Sequence, residues 1–308
     1  MVPMTRPVDE REPDVTGRGQ FRLPFEATLG DTAGPSSLPS RAVLVSLAEA
    51  YAPCYSIAEP FSHAVFDGLI DPGLLRCIPA ELPAHDSVLW NRWDTPNERR
   101  ALFGRADHFG PATRQLAATL NGADFVTFLE TLTGVDALLP DPHFNGGGVS
   151  RVDHGGFLNV HVDLYHNPRL EVVRQVNVLV YLNEDWPARA GGDLELWHSL
   201  DEGPMVKIPP RLGTVVVLST PGAAHGHPSP LDAGPGRSRL CFSAYYYTSA
   251  AEIQTPAAGE HRVVFRAPPA PTMLRRAALA ALPPVATKQL RRARRVYRRA
   301  VARRANGS

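Results

Sequence analysis

In the stretch GGFLNVHVDLYHNP, residues 155–168, two residues are of the wrong type for an apolar strand. His161 and Asp163 stand one residue apart among Phe157, Leu158, Val160 and Val162. In an extended chain residues i and i+2 share a face, so the imidazole and the carboxylate would point the same way. Together they make two thirds of a 2-His-1-carboxylate set, the donor combination that holds non-haem Fe(II) and leaves coordination positions open. The second imidazole must come from a distant segment. His225 and His227, in HGHP, follow the β-rich run GTVVVLS, and the residues alone leave the choice between them open. A single His-x-Asp arises often by chance, so the pair needs support from the rest of the chain.

Support comes from RLCFSAYYY, where Arg239, Cys241, Ser243 and Tyr245 would alternate onto one face of a strand. A guanidinium with a hydroxyl four residues on can grip a carboxylate, bidentate from the arginine and with one further hydrogen bond from the serine. Without an anion to meet, a buried arginine is costly. The order is also specific: His-x-Asp, a histidine about 60 residues later, then an arginine 14 residues beyond it.

These residues need a frame. RAVLVSLAEAYA (41–52) is expected to form a short helix. Residues 63–83 read as a strand, an Asp-Pro helix start and an apolar-periodic helix stopped by Pro83. Residues 111–134 read as two helices broken at Asn121-Gly122, with Leu116, Leu120, Phe125, Phe128, Leu129 and Leu132 as the buried stripe. After Gly134 short β-rich runs take over, at 148–152, 157–164, 174–182, 193–198, 204–208, 213–219 and 239–248. Turn signals such as NGGG, HNP, ARAGG and DAGPG separate them. Helices first and an antiparallel sandwich or barrel second make an α+β arrangement. The expected organisation is a disordered segment over 1–40, a domain over 41–260 (helical over 41–134, β over 135–250) and a basic tail over 261–308.

The composition is that of an ordinary globular chain: 308 residues, 44% hydrophobic and 20% charged. Three cysteines without a CxxC pair fit a reducing compartment. The first residues lack a basic-then-apolar signal and no run of 18 apolar residues occurs, so a cytoplasmic location is expected. The net charge of +1 hides an asymmetry. Residues 261–308 hold 13 Lys and Arg and no acid, against 31 acids and 19 bases in residues 1–260, a formal −12. KQLRRARRVYRRAVARRA (288–305) has near-helical apolar spacing, so the 286–308 tail is a candidate for an anionic surface or an acidic partner.

The segment from about 63 to 248 resembles the Fe(II)/2-oxoglutarate-dependent dioxygenases, in the prolyl 4-hydroxylase-like branch. GGFLNVHVD, RQVNVLVYLNEDWPARAGGDLELW, HGHPSPL and GRSRLCFSAYYYT carry the likeness. It implies a double-stranded β-helix (jelly-roll) core with N-terminal supporting helices. It implies Fe(II) held by His161, Asp163 and His225, the first histidine of HGHP. By the same resemblance Arg239 pairs with the distal carboxylate of the cosubstrate 2-oxoglutarate, Ser243 helps, Tyr181 touches the same carboxylate, and Asn177 and Leu194 line its pocket. Arg151 stands near a position where some relatives place a pocket tyrosine. His227, His154 and Arg151 are candidates for contacts behind the metal or with substrate, and His143 and Arg100 are candidates for contacts with substrate. The implied reaction consumes O2 and 2-oxoglutarate, releases succinate and CO2, and hydroxylates an unactivated C–H of a peptide residue, an amino acid or a biosynthetic small molecule, with ascorbate supporting activity. A contrasting reading is a non-catalytic metal-binding β-barrel that acts as an interaction module through its basic tail. The Arg239–Ser243 pair speaks against it, because a scaffold has no use for a carboxylate clamp. His166 reads as a loop residue, Trp186 and Trp197 as packing residues, and Gly146–Gly148 as a turn, since no strand-then-helix context makes it a phosphate loop.

Overall fold

The computed structural model describes residues 20–22, 37–163, 166–167, 171–249 and 263–266. In chain order the elements are β1 (Gln20–Arg22), α1 (Arg41–Ser56), β2 (His63–Asp67), α2 (Pro72–Glu81), β3 (Asn91–Asp94), β4 (Glu98–Phe103), α3 (Pro111–Asn121), α4 (Ala123–Thr133), β5 (Leu139–Pro140), β6 (Gly148–Asp153) and β7 (Phe157–Val162). They continue with β8 (His166–Asn167), β9 (Val172–Tyr181), β10 (Leu194–Trp197), β11 (Pro204–Ile208), β12 (Thr214–Ser219), β13 (Ala224–His227), β14 (Ser238–Ser249) and β15 (Val264–Phe265).

The helices start where their residue types demand. Asp71 accepts from the backbone N–H groups of Gly73 (2.9 Å) and Leu74 (3.2 Å), with Pro72 at the first helical position of α2. The start of α3 is satisfied from a distance. The Glu81 carboxylate, at the end of α2, accepts from Ala112 N–H (2.7 Å), Thr113 N–H (2.9 Å) and the Thr113 hydroxyl (2.7 Å). Gly110 precedes that helix because a Cβ there would lie 2.5 Å from the Glu81 carboxyl carbon. The chain breaks at Asn121-Gly122 and ends α4 on Gly134 at φ 69°, a left-handed stop that glycine adopts without penalty.

The strands curl into an antiparallel half-barrel, the double-stranded β-helix (jelly-roll) core of an α+β fold. They follow the order β1-β2-β12-β9-β14-β6-β4-β7-β13-β10-β11. Alternation sorts their side chains between two cores. Val176, Val178 and Val180 of β9, Val215 and Val217 of β12, and Phe242, Ala244 and Tyr246 of β14 pack on α1 to α4. Leu179 and Tyr181, Val216 and Leu218, and Cys241 point into the curl with Leu194 and Leu196. Burial of these apolar side chains at about 25 cal/mol per Å² is the main force that closes it.

Several expectations need correction. α1 runs through Pro53 to Ser56, and the strand at 157 ends at Val162 rather than 164. Within the span expected to be helical, β3 and β4 form a hairpin, with Asn91 opposite Leu102 and Asp94 opposite Arg99. Their charged residues hide the strand period, because one edge of the hairpin faces a polar cleft. β13 was not expected either: His-Gly-His has no strand signature and is held extended by β7 and β10 on its two sides. Gln20–Arg22, in the segment expected to be disordered, pairs parallel with β2. His166, expected in a loop, has its backbone paired with Val173. The amphipathic pattern at 288–305 lies outside the described residues. All three cysteines are free, and no helix among the described residues is long and apolar enough to cross a membrane.

Candidate metal centre and adjoining cleft

β7 and β13 run antiparallel with His161 directly opposite His225. The pair is irregular: His227 lies opposite Leu158, so β7 carries one more residue than β13 over this span. That bulge, at Asn159-Val160, turns both Leu158 and His161 toward the inside of the curl. At Gly226 a Cβ would sit 2.8 Å from the Asn159 carbonyl oxygen and 2.9 Å from that of Leu158. Glycine there lets β13 lie against β7 while His225 and His227 both face inward.

His161, Asp163 and His225 form one group whose candidate ligand atoms all lie within 4.8 Å of one another. His161 Nε2 stands 3.5 Å from Asp163 Oδ1, and His225 Nε2 stands 4.0 Å from Asp163 Oδ2. Both Nδ1 atoms are tied to backbone carbonyls, His161 to Asn159 at 3.0 Å and His225 to Ala223 at 3.0 Å. Nδ1–H donation to those carbonyls leaves each Nε2 with a free lone pair aimed at the common point, the arrangement that orients a metal-binding histidine. Two imidazoles and a carboxylate so disposed fit a ferrous ion.

Electrostatics prepare the donors. Burial alone would raise the Asp163 carboxyl. Its contacts with His161, His225 and Arg174 outweigh it and hold the group well below the usual carboxylate range. Asn177 donates to its Oδ2 at 3.2 Å, and Arg174 Nη1 lies 3.6 Å from the same oxygen. Burial and the neighbouring His161 push His225 down to about 4, so it is neutral at ordinary pH.

An inner cavity of about 80 Å³ opens behind these three residues and is lined by Asn177, Tyr181, Leu194, His227, Arg239 and Ser243. Arg239, 4% exposed, donates from Nε to the Gly192 carbonyl (2.7 Å) and from Nη2 to the Tyr181 hydroxyl (3.0 Å). No carboxylate among the described residues pairs with it, so a buried cation faces a cavity without its anion. An outer cleft of about 300 Å³ shares His161, Asp163, Arg100, Leu158 and Tyr245 with the inner one. Its walls add Trp93, Glu98, Arg174, Tyr247, Val263 and Phe265.

Of the residues singled out from the sequence, His154 and Arg151 do not line either space. Arg151 lies on the opposite face of β6 from Ser150, pairs with Asp153 (2.8 Å) and stacks 5.9 Å from the Trp90 ring. His154 sits at an exposed turn, 3.7 Å from Asp232. His143 is exposed and absent from the lining, whereas Arg100 lines both spaces and pairs with Glu98 at 2.7 Å. Trp186 bonds Gly191 O at 2.8 Å, and Trp197 is buried.

Sequence reasoning missed Arg174. By strict alternation it would share the helix-facing side with Val176 and Val178. The register against β14 shifts there, Tyr246 facing Val176 and Tyr247 facing Arg174, so Gln175 is the extra residue and Arg174 turns inward. Its guanidinium lies 3.6 Å from the Tyr245 ring centroid and donates to the Tyr247 hydroxyl at 3.3 Å. A lone arginine in the run VVRQVNVLVY was the available signal. Phe265, which stacks 5.5 Å from the His161 ring, had none.

The family model described as the 2OG-Fe(II) oxygenase superfamily matches residues 147–247. No curated protein matches the chain. Among solved structures it is similar to a prolyl-4-hydroxylase from Pseudomonas putida, at 18% identity and TM-score 0.49, covering 65% of this chain and 97% of that one. A prolyl hydroxylase from Trichoplax adhaerens, in complex with a hypoxia inducible factor peptide fragment, is similar at 16% identity and TM-score 0.49, covering 67% and 91%. HygX from Streptomyces hygroscopicus, bound to nickel, 2-oxoglutarate and hygromycin B, is similar at 18% identity and TM-score 0.41, covering 65% and 93%.

Proposed function

We propose that this chain, whose residues 147–247 match the model of the 2OG-Fe(II) oxygenase superfamily, is a hydroxylase of that superfamily that acts on an unactivated C–H. In this reading His161, Asp163 and His225 hold Fe(II), and Arg239 with Tyr181 and Ser243 binds the distal carboxylate of 2-oxoglutarate. Bound together, metal, keto acid and O2 supply the oxidation, in which 2-oxoglutarate becomes succinate and CO2 as the substrate C–H gains a hydroxyl.

The chain's own residues bind, orient and exclude water. Asp163 stays ionised because His161, His225 and Arg174 outweigh its burial. Asn177 and Arg174 fix the orientation of its carboxylate from behind. Arg239 meets its anion only at the floor of the inner cavity, which draws the cosubstrate in to full depth. The outer cleft takes the substrate, a peptide residue, an amino acid or a biosynthetic small molecule, against Trp93, Tyr245, Tyr247 and Phe265. These rings exclude water from the reacting centre, and ascorbate in the medium supports repeated turnover.

The observation that carries the reading is the pairing of a three-donor cluster with a buried, acid-free arginine in one cavity. The test is succinate formation from 2-oxoglutarate with Fe(II) and ascorbate, followed by a substrate screen for a mass gain of one oxygen. Wild type is expected to release succinate slowly without substrate and faster with one, and Asp163→Ala to release none. Succinate from Asp163→Ala at the wild-type rate would remove the assigned role of that carboxylate.

A further inference from the structure

His227 is the second imidazole that β13 turns into the inner cavity, and nothing above gives it work. It is 4% exposed. Its Nδ1 is buried and has no hydrogen-bond partner, in contrast to His225 and His161, whose Nδ1 atoms are tethered to carbonyls. An unpaired buried polar atom is costly, and a native chain retains that cost where a ligand relieves it. The cavity it lines is also lined by Leu194, Arg239 and Ser243. His225 already stands opposite His161, and the β7 bulge sets His227 opposite Leu158 instead, outside the three-donor cluster.

We propose that His227 is a cosubstrate-positioning residue: its ring N–H donates to a carboxylate oxygen of the dicarboxylate that Arg239 holds. The inference rests on the reading of the inner cavity as the 2-oxoglutarate site. Arg239 spends Nε on Gly192 and one Nη2 N–H on Tyr181, which leaves three of its five N–H groups for a carboxylate and leaves that carboxylate's remaining lone pairs to other donors. A second donor from the β13 side completes the cradle, and the His227 ring N–H supplies it. Gly226 makes this possible, since any side chain there would separate β13 from β7 and carry His227 away from the floor.

The experiment is calorimetric titration of 2-oxoglutarate into the Ni(II)-loaded full chain, without turnover, for wild type, His227→Leu and His227→Asn, with Ni(II) affinity measured separately. His227→Leu is expected to weaken 2-oxoglutarate about tenfold, to leave Ni(II) affinity within about twofold, and to be partly rescued in His227→Asn. Equal 2-oxoglutarate affinity in wild type and His227→Leu overturns the inference and leaves the reading of the cavity intact. Loss of Ni(II) binding in His227→Leu also overturns it, because it makes His227 a ligand. If wild type binds Ni(II) but no 2-oxoglutarate, the reading of the cavity falls and takes this inference with it. A measurement that needs no variant stands beside these: the 15N signal of the His227 imidazole in the Zn(II)-loaded protein. It is expected to shift on addition of 2-oxoglutarate, and a signal that stays in place refutes the contact.

Discussion

His161 and His225 face each other across the β7–β13 pair, with ring centroids 4.6 Å apart and each Nδ1 bound to the backbone carbonyl two residues before it. The contact comes from strand register, not from chain proximity. Removal of either ring leaves two donors where three are needed. His161→Ala and His225→Ala are each expected to abolish saturable Fe(II) binding under anaerobic conditions, while His154→Ala, at an exposed turn, keeps it. Anaerobic metal titration reads this directly, and retained binding in His225→Ala would displace it from the ligand set.

Asn177 matters through Asp163. Its side-chain amide donates to Asp163 Oδ2 at 3.2 Å, and Asn177 itself is buried. Outer hydrogen bonds to a ligating carboxylate are worth roughly 10–100-fold in metal affinity. Asn177→Leu, of similar size, is expected to lose affinity in that range while circular dichroism stays unchanged. Unaltered affinity would show that Arg174 alone orients the carboxylate.

Gly226→Ala tests the fit of β13 against β7. The added methyl would meet carbonyl oxygens at 2.8 and 2.9 Å, and neither backbone can yield without loss of register. Destabilisation of about 1–3 kcal/mol is expected in denaturant melts, with weakened metal binding in the folded protein. An alanine variant that binds metal like wild type would show that the strands tolerate separation.

Glu81 offers a test of the helical layer and of its pH response. Burial would push its carboxyl up, but hydrogen bonds from Ala112, Thr113 N–H and the Thr113 hydroxyl, with the charge of Arg114, hold it below its ordinary value. A depressed folded-state pKa stabilises above the unfolded value of 4.5, and the gain fades as pH falls through the folded value. Glu81→Ala is expected to cost about 1–2 kcal/mol at pH 7, and the gap to wild type should narrow on acidification below pH 4.5. Urea melts at pH 7 and at successively lower pH check both parts, and a gap independent of pH would leave the cap without its charge.

Much of the frame was legible because it is written in local periods. The Asp71-Pro72 start, the break at Asn121-Gly122 and the inward alternation of Arg239, Cys241, Ser243 and Tyr245 all follow from spacing that a reader can count. The β3–β4 hairpin was not legible, since Glu98 and Arg100 are polar for the sake of a cleft and not for solvent. Arg151 was misplaced for a related reason. It stands beside Ser150 in sequence, but strand alternation sends the two to opposite faces, and only Ser150 lines the cavity.

The sequence by itself determined which chemistry-bearing side chains exist and which local element carries each one: His161 and Asp163 at the end of one strand, Arg239 and Ser243 on one face of another. The tertiary structure decided how they meet. Bulges at Asn159-Val160 and Gln175 break the two-residue period, turning Leu158 and Arg174 inward, and place His225 rather than His227 beside His161. A bulge depends on how one strand counts against a partner some 60 or 70 residues away, and no local pattern carries that information.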